Sequence, residues 1–148
     1  MPTLPLIAKD LRHEFPCSPR ELLAGYVIAA RTLDKCRALL AGTAGEYHFD
    51  CPLDNEFLGF TGLSADAFKA QAATGANDDE MAAWITANAH PHTRAEIILW
   101  NNQLRGRRIC EMAEPLQLFL EDYIPQAIPK NRPVYVWFDV YDIEEQRM

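Results

Sequence analysis

Apolar residues along this chain recur mainly at steps of three and four, the spacing of helices that cover one side. Leu22, Tyr26, Ala29, Leu33, Cys36 and Leu40 make the longest stripe, widened by Leu23, Val27 and Ala30, with Arg31, Asp34, Lys35 and Ala38 opposite. Ser18, Pro19 and Glu21 form a start signal, and Gly42 stands where a left-handed cap costs least, so a first helix is predicted over 19–41. Residues 1–18 hold Pro2, Pro5 and Pro16, which predict an extended arm anchored by Leu11 and Phe15.

Shorter patterns follow. Pro52 and Asp54 open a second helix carrying Phe57, Leu58 and Phe60 up to Gly62. Ser64 caps a third with Ala65, Phe68 and Ala72 inward, ended by Gly75. Asn77 or Asp78 caps a fourth with Met81, Trp84, Ile85 and Asn88 on its stripe, ended by Pro91. Thr93 and Glu96 have capping-box spacing before Ile97, Ile98, Trp100 and Leu104, in a helix that weakens at Gly106 and extends at most to Ala113. Leu116, Phe119, Leu120, Tyr123 and Ile124 form a further regular stripe, closed by Pro125 and Pro129.

The last apolar segment, 134–142, has strand propensity but no second strand to pair with. A short helix or packed tail is favoured; strand pairing with a second copy is the alternative. The expected architecture is all-α: a single-domain orthogonal bundle over 1–148, with five to seven helices, an extended N-terminal arm and an aromatic C-terminal tail. Helix one and the 116–124 helix are expected at its centre.

Composition changes this picture little, but it narrows the partners. The chain is 49% hydrophobic with a net charge of −7, the makeup of a folded acidic protein, and phosphate-backbone recognition needs the opposite charge balance. No nucleic acid is therefore expected. No apolar run approaches the roughly 20 residues of a membrane span, and the N-terminus lacks a secretory signal pattern. Cys17, Cys36, Cys51 and Cys110 are scattered without a CxxC pair and read as reduced thiols of a cytoplasmic protein.

Chemistry-bearing side chains concentrate in 31–60. On the polar side of helix one, Arg31, Asp34, Lys35 and Arg37 lie a turn apart and form a solvated face of weak intrahelical pairs if uncovered. If the arm or the 43–51 turn roofs them, Asp34 fixes Arg31 and Arg37 as donors for a carboxylate or phosphate. In the following turn, His48 and Cys51 stand three apart beside Tyr47, Asp50 and Asp54. Cys51 precedes a helix start, a position suited to a nucleophile, and is also a residue type often simply buried. His48 with His90 and His92 makes a weak three-histidine metal set, lacking the second ligand pair of a zinc signature. Dinucleotide, phosphate-loop, nucleophile-elbow and zinc-protease motifs are absent, so no cofactor is specified.

LDKCRALLAGTAGEYHFDCPLD, residues 33–54, resembles a bacterial family known as a domain of unknown function, the one numbered five thousand and sixty-nine. DLRHEFPCSPRELLAGYV (10–27) and the closing WFDVYDIEE resemble its two ends. The resemblance implies a stand-alone bacterial protein and carries over no catalytic residue, cofactor or partner.

Two functions follow as expectations. The first is a binding protein or enzyme for a small anionic molecule, with a pocket between helix one and the 42–54 turn. There Arg31, Asp34, Lys35 and Asp54 bind the ligand, and His48, Cys51 and Tyr47 carry the chemistry. The second is a non-catalytic interaction module, a homodimer formed through the aromatic tail 135–141.

Overall fold

The computed structural model describes residues 6–148; the expected contributions of Pro2 and Pro5 to the arm lie outside this range. Its regular structure is α-helical, as the periodicity predicts: seven α-helices and one 3-10 turn, with only two isolated β-bridges among the described residues. Two compact units divide the chain, one through Arg94 and one from Ala95.

In the first unit the N-terminal segment is tied down by main-chain bonds. The Leu11 amide donates to Thr43 O at 2.9 Å, and Thr43 Oγ1 donates to Lys9 O at 3.1 Å. Leu11 is buried as expected, whereas Phe15 is 43% exposed. The first helix, α1 (Ala29–Ala41), starts ten residues later than its periodicity suggests. Ser18 makes only one turn, accepting at Oγ from the Arg20 amide. Leu23 and Tyr26 then exchange both main-chain bonds across Ala24 and Gly25, whose φ values of 55° and 87° are those of a two-residue hairpin turn.

The physical reason lies in Tyr26, Val27 and Ile28, three consecutive residues that are all buried. A helix would turn them about 100° apart, onto different faces. The irregular backbone sends all three inward and leaves Leu22, expected on the stripe, exposed. At the other end the prediction holds: Gly42 is left-handed at φ 74°, and its amide and that of Thr43 return to the last carbonyls of α1.

α1 packs against α2 (Pro52–Thr61) and α3 (Ala65–Ala72). Ser64 caps α3 by accepting from the Ala67 amide at 3.0 Å, and Asn77 with Glu80 forms the capping box of α4 (Asp78–Asn88). Phe57, Phe68, Tyr26 and Trp84 meet edge to face, with ring centroids 5.6–6.2 Å apart, and make the aromatic centre of this unit. Of the stripe expected on α4, Met81 and Ile85 are buried and Asn88 is exposed.

The second unit contains α5 (Arg94–Arg105) from its second residue on, a 3-10 turn at Ile109–Glu111, α6 (Glu114–Ala127) and α7 (Trp137–Glu144). α5 stops at Arg105, short of Ala113, and an isolated bridge joins Arg108 to Val136. Pro125 does not close α6 but sits inside its last turn, two residues before the end. Of the α6 stripe only Leu120 is buried; Leu116, Tyr123 and Ile124 are half-buried and Phe119 is 59% exposed, as is Leu118 beside it at 62%. Spacing shows that a helix has an apolar side; it does not show what covers it. Residues 137–144 are helical, with Trp137, Phe138, Val140 and Ile143 buried, so the tail is largely a packed element.

Candidate functional site

The polar side of α1 is not solvated. Arg31 and Lys35 are 2% and 4% exposed, and Asp34 and Arg37 are also buried, because the N-terminal segment and the turn before α2 lie over them. Charges withdrawn from water need partners, and each is bonded internally.

Asp34 receives the Cys17 amide at 2.8 Å and Lys9 Nζ at 3.0 Å. Arg31 donates to Cys17 O at 3.2 Å, and its guanidinium lies 5.6 Å from the centre of the Tyr47 ring. Arg37 does not bond within the helix to Asp34, as its spacing suggests. It reaches Asp78 Oδ1 at 2.7 Å and Ala76 O at 2.8 Å, at the start of α4.

The densest arrangement joins α1 to α2. Asp54, fully buried, receives Lys35 Nζ at 3.0 Å and Thr32 Oγ1 at 2.7 Å on one oxygen. Its other oxygen accepts the Asp50 amide at 3.0 Å and the Cys51 amide at 3.4 Å, closing the capping box of α2, whose N-cap is Cys51. Lys35 Nζ also lies 3.1 Å from Cys51 Sγ. A half-buried sulfur thus stands at a helix N-terminus with an ammonium against it, and that ammonium is held by a carboxylate. Such a setting suits a nucleophilic thiol.

Two of the remaining cysteines lie in different surroundings. Burial pushes the Cys36 thiol up to about 12. Cys17 is also pushed up to about 12, by burial first and then by its hydrogen bond to Asp34 and that carboxylate's charge. Both stay protonated, and so poor nucleophiles, at physiological pH. Cys110 is exposed, and all four cysteines are free.

The expected site residues are partly gathered. Lys35, Asp54 and Cys51 converge, and Arg31 meets Tyr47. His48 is exposed, with no hydrogen bond to this group. His92 stacks on Phe60 with centroids 4.0 Å apart and bonds Phe60 O at 3.0 Å, while the His90 amide donates to Thr61 O at 2.7 Å. His48, His90 and His92 are not brought to a common point, and among the described residues no three His, Cys, Asp or Glu side chains converge to hold a metal. A cavity of about 590 Å³ opens beside α1, lined by Lys9, Glu14, Cys17, Asp34, Arg37, Asp78 and Asp79; Tyr47, His48, Cys51 and Asp54 are not in its walls.

Thr32 and Lys9 were not among the expected site residues. Thr32 had a signal, standing three positions before Lys35 on the same helix face. Lys9 had none, because the path of the arm decides where it lands.

The fold is a small all-α one with an internally neutralised charged helix. The chain belongs to the domain of unknown function family DUF5069, whose family model matches residues 13–147, nearly its whole length. No curated protein matches it. No helix among the described residues is long and apolar enough to cross a membrane.

Proposed function

We propose that this protein acts on a small electrophilic molecule through Cys51 as the attacking sulfur. Lys35 is the cationic group beside it, and Asp54 is a positioning residue that holds Lys35 in place. The observation that carries this reading is the 3.1 Å approach of Lys35 Nζ to Cys51 Sγ at the head of α2. Binding of an anion by Arg31 and Lys35 has weaker support, since both are buried and bonded internally.

The test is time-resolved alkylation of the folded chain at neutral pH, read by peptide mass spectrometry. Cys51 should be labelled faster than exposed Cys110, and Lys35→Met should slow Cys51 without changing Cys110. Labelling of Cys110 first, with Cys51 indifferent to Lys35→Met, would refute the reading.

A second reading, a homodimeric interaction module, keeps one specific support. The tail buries Trp137 and Phe138 within the fold, yet Tyr135 is 65% exposed and lines, with Leu118, Leu120, Ile124 and Val134, a groove of about 450 Å³. Light scattering checks it: the reading expects a dimer that Leu118→Glu converts to monomer, and a monomer at all concentrations removes it.

A further inference from the structure

We propose that Lys35 and Cys51 form a reversible covalent cross-link, a sulfenamide, when hydrogen peroxide oxidises the Cys51 sulfur. The inference rests on the reading of Cys51 as a reactive sulfur and goes beyond it, because it gives Lys35 a bond-forming role. Three observations support it. The two atoms that would bond already touch, at 3.1 Å. Cys51 is only half-buried, so a molecule as small as peroxide reaches it, whereas Lys35 is almost wholly enclosed. Asp54, 3.0 Å from Lys35 Nζ, fixes the amine and is placed to take a proton from it.

The chemistry balances in two steps. The Cys51 thiol gives two electrons to peroxide, whose O–O bond breaks, yielding the sulfenic acid and one water. Lys35 then passes one ammonium proton to Asp54 and attacks the sulfur with the freed electron pair. The N–S bond forms as the S–O bond breaks, and the departing hydroxide takes a second proton from nitrogen and leaves as water. The condensation itself is redox-neutral. A dithiol reverses the product by attacking sulfur, restoring the amine and the Cys51 thiol as it is itself oxidised.

The chain holds its own comparison. Lys9 also stands by a cysteine and a carboxylate, 3.7 Å from Cys17 Sγ and 3.0 Å from Asp34. That sulfur is farther away, and burial with Asp34 keeps its thiol protonated, so the second pair should stay unlinked.

The experiment treats the folded full-length chain with a small excess of hydrogen peroxide, blocks remaining thiols, and maps tryptic peptides without reduction. The expected product joins the peptides of Lys35 and Cys51, is lighter than their sum by two hydrogens, lacks cleavage after Lys35, and separates on adding dithiothreitol. Lys35→Arg keeps a positive charge facing Asp54 but should give no joined peptide, leaving a Cys51 sulfenic acid that dimedone traps. Should that variant not fold, the wild-type map decides. Dimedone-trapped Cys51 in the wild type, with normal cleavage after Lys35, overturns the cross-link and leaves the nucleophile reading standing. A disulfide from Cys51 to another cysteine does the same. An unmodified Cys51 overturns both.

Discussion

Replacing Asp54 by alanine removes the acceptor of four donors at once: Lys35 Nζ, Thr32 Oγ1 and the amides of Asp50 and Cys51. Lys35, 4% exposed, is left as a charge with only a sulfur beside it. Breaking a buried pair from one side costs about 3–5 kcal/mol, which in a chain of this size lowers the melting temperature by on the order of 10 °C. Lys35→Met is milder, about 1–3 kcal/mol, because Asp54 keeps three donors. The double variant should fall short of the summed costs by about 1–3 kcal/mol, since its second change removes a charge that the first had stranded. Calorimetry gives the total, and hydrogen exchange on peptides from α1 and α2 assigns the loss to the first unit. An Asp54→Ala cost below about 1 kcal/mol, the range of a solvated surface pair, would refute the sealed cluster and with it the argument for a held Lys35 at Cys51.

Other substitutions separate strain, charge and proton release. Gly62→Ala forces a side chain onto φ 72° and drives its Cβ into the His90 ring; urea unfolding should show a loss of about 1–2 kcal/mol, of which His90→Ala recovers only the part due to the clash. Arg37→Met should cost about 1–3 kcal/mol in the same assay by removing both donors to Ala76 and Asp78, while Asp78→Asn, at an exposed carboxylate, should cost less than about 1 kcal/mol. Above the ordinary thiol value of 9.0 the unfolded chain releases protons that Cys17 and Cys36 retain in the fold until about 12. Stability should therefore be flat below that window with respect to these groups and fall as pH rises through it, by less in Cys36→Ala.

Helices bounded by strong local chemistry were legible in the sequence. Gly42, Ser64 and Asn77 act within one turn of themselves, so their effect is written in neighbouring residues. The start of α1 was not legible, because Ser18 and Pro19 imitate a helix start while the simultaneous burial of Tyr26, Val27 and Ile28 decides against one. The covered polar side of α1 was a choice between two readings, and only the path of residues 9–17 and 47–54 resolves it. At the candidate site, the proximity of Lys35 to Cys51 spans sixteen residues and two helices, beyond the reach of any spacing rule. The exposure of Phe119 escaped for the same reason, since periodicity describes a helix and not its surroundings.

The segment ahead of α1 has a consequence for how the chain can be cut. Lys9 and the backbone of Cys17 satisfy Asp34 and Arg31. A fragment beginning at residue 18 would strip the buried Asp34 carboxylate of its Lys9 and Cys17 donors and take one acceptor from Arg31, and would have to let water in along that helix or loosen it. Residues 9–17 are in this respect a structural counter-ion to α1, and removing them should behave like a core mutation.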